Sequence, residues 1–278
     1  MARRSMKNVK WAISTEAFGK PGFPRIEDAL KRNNIEYFQS AFNQNTREYS
    51  DIPYNTDECI VLYGPIKFIR TKNKGFVPGA FGFKADTNTS YYMSQLNPNL
   101  FFNYDAMYLP FGSIIHKKEQ LKDIFGKHLF IRPDSGFKTF TGFHVKIDDI
   151  EDELSSTSQI SNPSPHEMCL VAKAKSILGE YRFVVCNGEV ITGSQYRWDG
   201  KLDVRIDVHD EAWKFADKYV AKANWQLDSC YVVDIFLGED GPRIGEFNSF
   251  ASSGLYNCDM DKIVNAISHE SLKEYYIA

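Results

Sequence analysis

Long hydrophobic runs are missing from this sequence: no stretch of about 18 apolar residues occurs, so no segment reads as a membrane-spanning helix. The first ten residues, MARRSMKNVK, are basic and lack the apolar core of a secretory leader, so a cytoplasmic protein is expected. Cysteine is sparse, with Cys59, Cys169, Cys186, Cys230 and Cys258 far apart and odd in number. Disulfide frameworks and zinc sites use clustered, paired spacings, so the expectation is five reduced structural thiols. An excess of one charge is lacking too, since 33 Lys and Arg stand against 36 Asp and Glu. No basic run interleaves with the aromatic residues, so a nucleic-acid surface is not indicated. The six histidines are scattered and fit no Ser-His-Asp or Cys-His arrangement.

What is present is a globular composition, 43% hydrophobic over 278 residues, enough for one large domain or two modest ones. In the first hundred residues strand-like and helix-like segments alternate: VKWAIS, PRIEDALKRNN with Pro24 at its start, IEYFQSAF and ECIVLYG. That order predicts a small α/β domain. The character changes near Ala106. HKKEQLKDIFGK predicts an amphipathic helix closed by Gly126, and HLFIRPD a strand stopped by Pro133. The acidic, Ser-rich piece from Asp148 to His166 has little apolar periodicity and is expected to be an exposed loop. Beyond it, hairpins are signalled at Asn187-Gly188, at Asp199-Gly200 and at GEDGP, Gly238 to Pro242. A helix is expected over DEAWKFADKYVAKAN and another from about Met260 to Tyr275.

Residue types in these hairpins point to chemistry. If GEDGP forms an odd-numbered loop centred on Asp240, Leu237 faces Arg243 and Asp234 falls opposite Glu246. Asn248, two residues on, then shares their face. Two carboxylates side by side in an otherwise apolar hairpin repel each other and lose solvation, which a bound cation would offset. An all-oxygen set of Asp234, Glu246 and Asn248 favours Mg²⁺ or Mn²⁺ over zinc. The alternative is a solvated face, or acids paired with a nearby Lys or Arg. An even-numbered loop would turn Asp234 to the other face.

The same arithmetic at Asn187-Gly188 pairs Val184 with Ile191, Arg182 with Gly193 and Glu180 with Gln195. Glu180, Arg182, Gln195 and Arg197 would then share one face, either as an anion-recognising patch or as an exposed salt-bridge ladder. In FIRPDSGFKTFTGF, Arg132 ends a strand and Ser135, Gly136 and Lys138 follow in a turn. Small residues let backbone N–H groups reach an anion, and two cations can hold a polyphosphate. The segment does not match GxxxxGK[ST].

In order, FIRPDSGFKTFTGF, LVAKAKSILGEYRFVVCNGEVITGSQYR, VVDIF and GEFNSFASSG resemble the ATP-grasp superfamily, from about Ala106 to the C-terminus. The N-terminal part, with VLYGPIKFIR and LNPNLFFNYDAMYLP, is similar to the pre-ATP-grasp domain of a phage and bacterial branch. The resemblance implies an α+β (α/β) architecture: a pre-ATP-grasp α/β domain over 1–105, then an ATP-grasp domain over 106–278. Its two α+β subdomains, about 106–172 and 173–278, would enclose the nucleotide. The adenine would lie against Ala172, Lys173 and Ala174, with Arg132, Lys138 and Arg182 on the phosphates and Glu180 beside the nucleotide. Mg²⁺ (or Mn²⁺) would sit on Asp234, Glu246 and Asn248. Arg182 and Arg197 would be the catalytic cations, while Arg197, Ser249, Ser252 and Ser253 would hold the acceptor substrate or acylphosphate.

The reaction so implied activates a carboxylate as an acylphosphate, which an amine or thiol then captures, on a small molecule, peptide or protein. Phosphoryl transfer needs positioning and charge neutralisation more than a protein nucleophile, and such a residue set offers both. Two departures stand out. Arg132 occupies a position where many members have Lys, and no second phosphate-binding Lys precedes the loop, because Lys117 and Lys118 fall in a helix expected to be solvated. A nucleotide-binding module without turnover and a kinase-like phosphotransferase stay open as alternatives.

Overall fold

The computed structural model describes residues 8–16, 23–73 and 75–277. Most of the basic start, residues 1–7, lies outside them. The chain forms two compact units, one of residues 1–85 with 177–278 and the other of residues 86–176. The sequence reading drew its boundaries at 105/106 and 172/173, whereas the compact units divide at 85/86 and 176/177.

The first unit opens with β1 (Val9–Ser14), α1 (Ile26–Arg32), β2 (Glu36–Ser40), a two-stranded hairpin of β3 (Phe42–Asn43) and β4 (Glu48–Tyr49), β5 (Cys59–Tyr63), α2 (Ile66–Lys72) and β6 (Val77–Gly79). Strands β2-β1-β5-β6 make a parallel sheet in that order. A parallel strand covered on both faces should read as one apolar run, and CIVLY of β5 is buried at every position.

The second unit holds α3 (Thr89–Gln95), β7 (Met107–Pro110), α4 (Phe111–Ile114), α5 (Lys118–Phe125), β8 (His128–Pro133), β9 (Phe143–Lys146), α6 (Ile150–Ser161) and β10 (Met168–Lys173). Its antiparallel sheet runs β7-β10-β8-β9. Leu129, Ile131, Val145, Cys169 and Val171 supply one face, covered by Leu121 and Phe125 of α5 and by Ile150 and Leu154 of α6. The expected loop at 148–166 is therefore a helix over most of its length. Ile150, Leu154 and Thr157 recur at helical spacing and are buried, and Glu151, Asp152 and Glu153 favour the positive end of the helix dipole. Asn162 ends it in the left-handed conformation, its N–H donating to the Ser158 carbonyl. The Ser-rich surface face masked that spacing.

The first unit resumes with β11 (Gly179–Cys186), β12 (Glu189–Trp198), β13 (Lys201–Arg205), α7 (Asp210–Phe215), a π-helical stretch over Ala216–Ala221, β14 (Cys230–Gly238), β15 (Gly241–Ser249) and α8 (Met260–Ile277). The five strands are antiparallel in the order β13-β12-β11-β14-β15. Ile263, Val264 and Ile267 of α8 share one core with Trp11 and Val61 of the parallel sheet and with Val184 and Val232 of the antiparallel one. Trp11 Nε1 donates to Ser268 Oγ at 3.1 Å within that core. Cys186 and Cys230 stand directly opposite on β11 and β14 and join as a disulfide, which corrects the expectation of five thiols. Their separation of 44 residues gave no hint of the pairing. Cys59, Cys169 and Cys258 are buried free thiols. No helix among the described residues is long and apolar enough to cross a membrane.

Candidate active site

The β14–β15 hairpin closes on Gly238 opposite Gly241, so its loop has two residues and not the odd number expected. Pairing runs Leu237 to Pro242, Phe236 to Arg243 and Ile235 to Ile244, after which a bulge returns Asp234 to a place opposite Glu246. The extra residue is Gly245. A Cβ there would run into the Phe236 ring, so glycine is what allows the ring to lie across the bulge. The predicted Asp234–Glu246 pairing thus forms by a different route, and Asn248 lies opposite Val232 further along.

Asp234 also has a partner on its other side. Arg182 of β11 stands opposite it and donates from Nε to Oδ1 at 2.8 Å and from Nη2 to Oδ2 at 2.7 Å. Both groups are withdrawn from water, Asp234 at 1% and Arg182 at 8% exposure. For Asp234 the pairing of an acid with a neighbouring Arg is therefore realised. Burial pulls the Arg182 pKa down, but the Asp234 charge and hydrogen bonds outweigh it and hold the guanidinium firmly protonated. Next to this pair, Asn248 Nδ2 donates to Glu246 Oε1 at 3.0 Å. Burial raises the Glu180 pKa, the nearby charges of Asp234 and Glu246 add to the rise, and Tyr196 and Arg197 oppose it. Among the described residues no group of three or more His, Cys, Asp or Glu is arranged to hold a metal. Any cation here depends on the amide of Asn248 as well as on the two carboxylates.

The β11–β12 hairpin keeps its expected turn, with Cys186 opposite Glu189, but two irregularities move what lies beyond. Val184 pairs with Thr192 instead of Ile191, Arg182 with Ser194 instead of Gly193, and Glu180 with Arg197 instead of Gln195. Gln195 sits opposite Tyr181, on the other face, where its Nε2 donates to the main-chain oxygen and to Oδ2 of Asp203, each at 3.2 Å. Arg197 stays on the face of Glu180 and is exposed.

Two aromatic residues that the sequence did not single out complete this face. The rings of Tyr196 and Tyr256 stack with centroids 4.8 Å apart and planes 6° from parallel. The Arg182 guanidinium carbon lies 5.5 Å and 5.1 Å from their centroids. Arg182 Nη1 also donates to the Gly254 carbonyl at 2.7 Å, which straps down the expected hydroxyl-rich loop. Within that loop Ser249 Oγ donates to the Phe81 carbonyl at 2.8 Å and Ser253 Oγ to the Ser249 carbonyl at 2.6 Å. Ser252 is half-buried.

In the second unit Arg132 is half-buried at the end of β8, its Nε donating to the Pro133 carbonyl at 3.3 Å. Lys138 is exposed in a left-handed backbone conformation, φ 50°. The turn between them is anchored by a residue the sequence reading passed over. Asp134 is buried and accepts from Thr89 Oγ1 at 2.6 Å and from the N–H and Oγ of Ser90 at 2.7 Å each. Gly136 packs against Thr87, which a side chain at 136 would strike. Ala172 pairs with Phe130, and the Ala174 N–H donates to the His128 carbonyl at 3.0 Å. Lys173 and Ala174 line a cavity of about 530 Å³ together with Phe125, His128, His144 and Lys175. The His144 ring lies 5.1 Å from Phe130, and burial lowers its pKa.

Solved structures share this architecture over nearly their whole length. D-cycloserine synthetase DcsG superimposes with a TM-score of 0.64 at 12% identity, covering 94% of this chain and 99% of its own. D-alanine–D-alanine ligase from Bacillus anthracis complexed with ATP gives 0.59 at 13%, covering 96% and 98%. ATP-grasp ligase PsnB complexed with minimal precursor gives 0.56 at 12%, covering 95% and 99%. The fold is the ATP-grasp fold, and the class is that of the ATP-dependent ligases of ATP-grasp type. Residues 115–266, more than half of the chain, match the ATP-grasp domain, clade family 2, and the chain belongs to that family. No curated protein matches the sequence.

Proposed function

We propose that this ATP-grasp protein joins a carboxylate to an amine or thiol through an acylphosphate, with ATP and Mg²⁺ (or Mn²⁺), and that a peptide or protein end is a candidate substrate. One observation carries the reading. The face of the five-stranded sheet gathers Arg182, Asp234, Glu246, Asn248, Glu180 and Arg197, the charge pattern that phosphoryl transfer to a carboxylate calls for. The donor set fits a hard divalent cation, since Asp234, Glu246 and Asn248 offer only oxygen ligands. Mg²⁺, when bound, would neutralise charge on phosphate oxygens. Arg182 would keep Asp234 ionised and Arg197, exposed beside Glu180, would hold the anionic acceptor. Arg132 and Lys138 would meet the phosphates, and the Ala172–Ala174 segment with its cavity would take the base. Of the serines, Ser252 suits substrate contact best, because Ser249 and Ser253 already donate to backbone carbonyls.

The matched segment, 115–266, falls inside the ATP-grasp domain we assign to 106–278, with subdomains of about 106–172 and 173–278. A phage-like branch and a cytoplasmic setting, where ATP and Mg²⁺ are supplied, belong to the same reading. One observation favours a binding module without turnover instead: Asp234 already has Arg182 as its counter-ion.

Thermal melts of the wild type and Glu246→Ala, each with and without ATP and Mg²⁺, test the proposal. A ligand at a hundredfold excess over its Kd stabilises by about 2.7 kcal/mol. A Mg²⁺-dependent rise in wild-type Tm that shrinks in Glu246→Ala is expected. No rise with ATP or any other nucleotide would overturn the reading. Release of ADP and phosphate only on adding an acceptor would separate ligase from binding module.

A further inference from the structure

Arg182 is unusually constrained for a residue offered to a substrate. Its side chain spends three of the five N–H donors of a guanidinium on internal acceptors, two on Asp234 and one on the Gly254 carbonyl. What fixes the plane of the group is the Tyr196–Tyr256 stack, whose centroids both lie within 5.5 Å of it. Arg stacks well on aromatic faces because it is planar and weakly hydrated.

Tyr256 reaches this position at a conformational cost. Its backbone is left-handed, φ 49°, a region that bulky residues seldom enter. The chain is held on both sides of it, by Arg182 on the Gly254 carbonyl and by the Asn257 N–H donating to Ser194 Oγ at 3.2 Å. Tyr256 is only half-buried, so core filling alone gives little reason for the strained placement. Tyr196 is buried beneath it, with its hydroxyl bonded to the Glu180 carboxyl. The ring pair thus spans the two charged groups at either end of the face.

We propose that Tyr256, stacked on Tyr196, is a positioning residue that acts through Arg182, holding the remaining guanidinium N–H groups at the angle needed by an anionic phosphate oxygen of ATP. The inference rests on the ATP-dependent reading above. Without the Tyr256 ring, Arg182 keeps its ion pair with Asp234 but can tilt about it, and recognition of the phosphates weakens while that of the nucleoside does not.

Dissociation constants of ATP and of adenosine, measured for wild type, Tyr256→Phe and Tyr256→Leu, separate this from a general loosening. Tyr256→Leu is expected to weaken ATP by about tenfold and to leave adenosine within about twofold, and Tyr256→Phe to keep both values, since the ring and not the hydroxyl is used. Equal weakening of ATP and adenosine, or unchanged ATP affinity in Tyr256→Leu, would overturn the inference. Should Tyr256→Leu not fold, Tyr256→Met provides the same comparison. A wild type that binds neither ligand would remove the ATP-dependent reading itself and this inference with it, whereas a wild type that binds ATP with no phosphate-selective loss in the variant removes this inference alone.

Discussion

Hairpins β11–β12 and β14–β15 both turn in two residues, yet they keep register differently. The first turns through Asn187 and Gly188, both left-handed at φ 51° and 73°, and is interrupted twice further on. The second puts its left-handed residue after the turn, Gly241 at φ 93°, and is interrupted once, at Gly245. In both cases a glycine faces an aromatic ring across the strands, Gly193 at Phe183 and Gly245 at Phe236. The irregularities leave the junction of β11 with β14 untouched, where Gly179 to Cys186 pairs without a break against Leu237 to Cys230. The strands carrying Arg182 and Asp234 are therefore straight and central, and the bulged neighbours re-aim the groups around them. A turn fixes register only as far as the first bulge.

Breaking the central pair should have the largest effect. Asp234→Ala leaves the buried Arg182 without its counter-ion, and removal of one partner of such a pair costs about 3–5 kcal/mol. Urea unfolding should record that loss, and a change below about 1 kcal/mol, by that same scale, would mean that the pair contributes little to holding β11 against β14.

A middle-sized effect is expected at the bulge. Gly245→Ala forces the Phe236 ring to move, an overpacking of about 1–3 kcal/mol, and should also diminish the Mg²⁺-dependent ATP shift by displacing Glu246. Gly193→Ala, which meets Phe183 in the other hairpin, should destabilise by a similar amount with little change in that shift. If the two variants lose the ATP response equally, the hairpins are not as distinct as their registers indicate.

The smallest effect concerns pH. Burial raises the Glu180 pKa above the ordinary 4.5, so the folded protein holds that proton more tightly than the unfolded chain does. Its contribution is then complete below the ordinary value and fades as pH rises through the folded one. Glu180→Gln should flatten the decline of Tm across that interval in calorimetric scans, and parallel declines in both proteins would exonerate Glu180.

Much of this was legible in the chain. Apolar runs announced β1, β5 and β14, Asn187-Gly188 announced its hairpin, and the carboxylate–amide spacing of Glu246 and Asn248 marked the sheet face that the family match supports as functional. Bulges were not legible, because an extra residue shifts pairing without changing composition, and Gly193 and Gly245 reveal their purpose only beside Phe183 and Phe236. Helix α6 was hidden by Ser and acidic residues on its outer side. The Arg182–Asp234 bond and the Tyr196–Tyr256 stack join residues 52 and 60 positions apart, which no local pattern encodes. Asp134 offered only the neighbouring Pro as a clue.

The core around Trp11 has a consequence for the order of synthesis. Val9, Trp11, Ile13 and Val61 are translated early, yet they share their apolar cluster with Val184, Val232, Ile263, Ile267 and Leu272. Residues 86–176 form their own compact unit in between and have a complete apolar core from their own segment. On the ribosome, where domains form as units, the inserted unit can close while β1 and β5 still lack the partners supplied by α8. The first strands made are thus among the last to be sealed, and until residue 272 has emerged the nascent chain exposes the apolar surface that a holdase chaperone would cover.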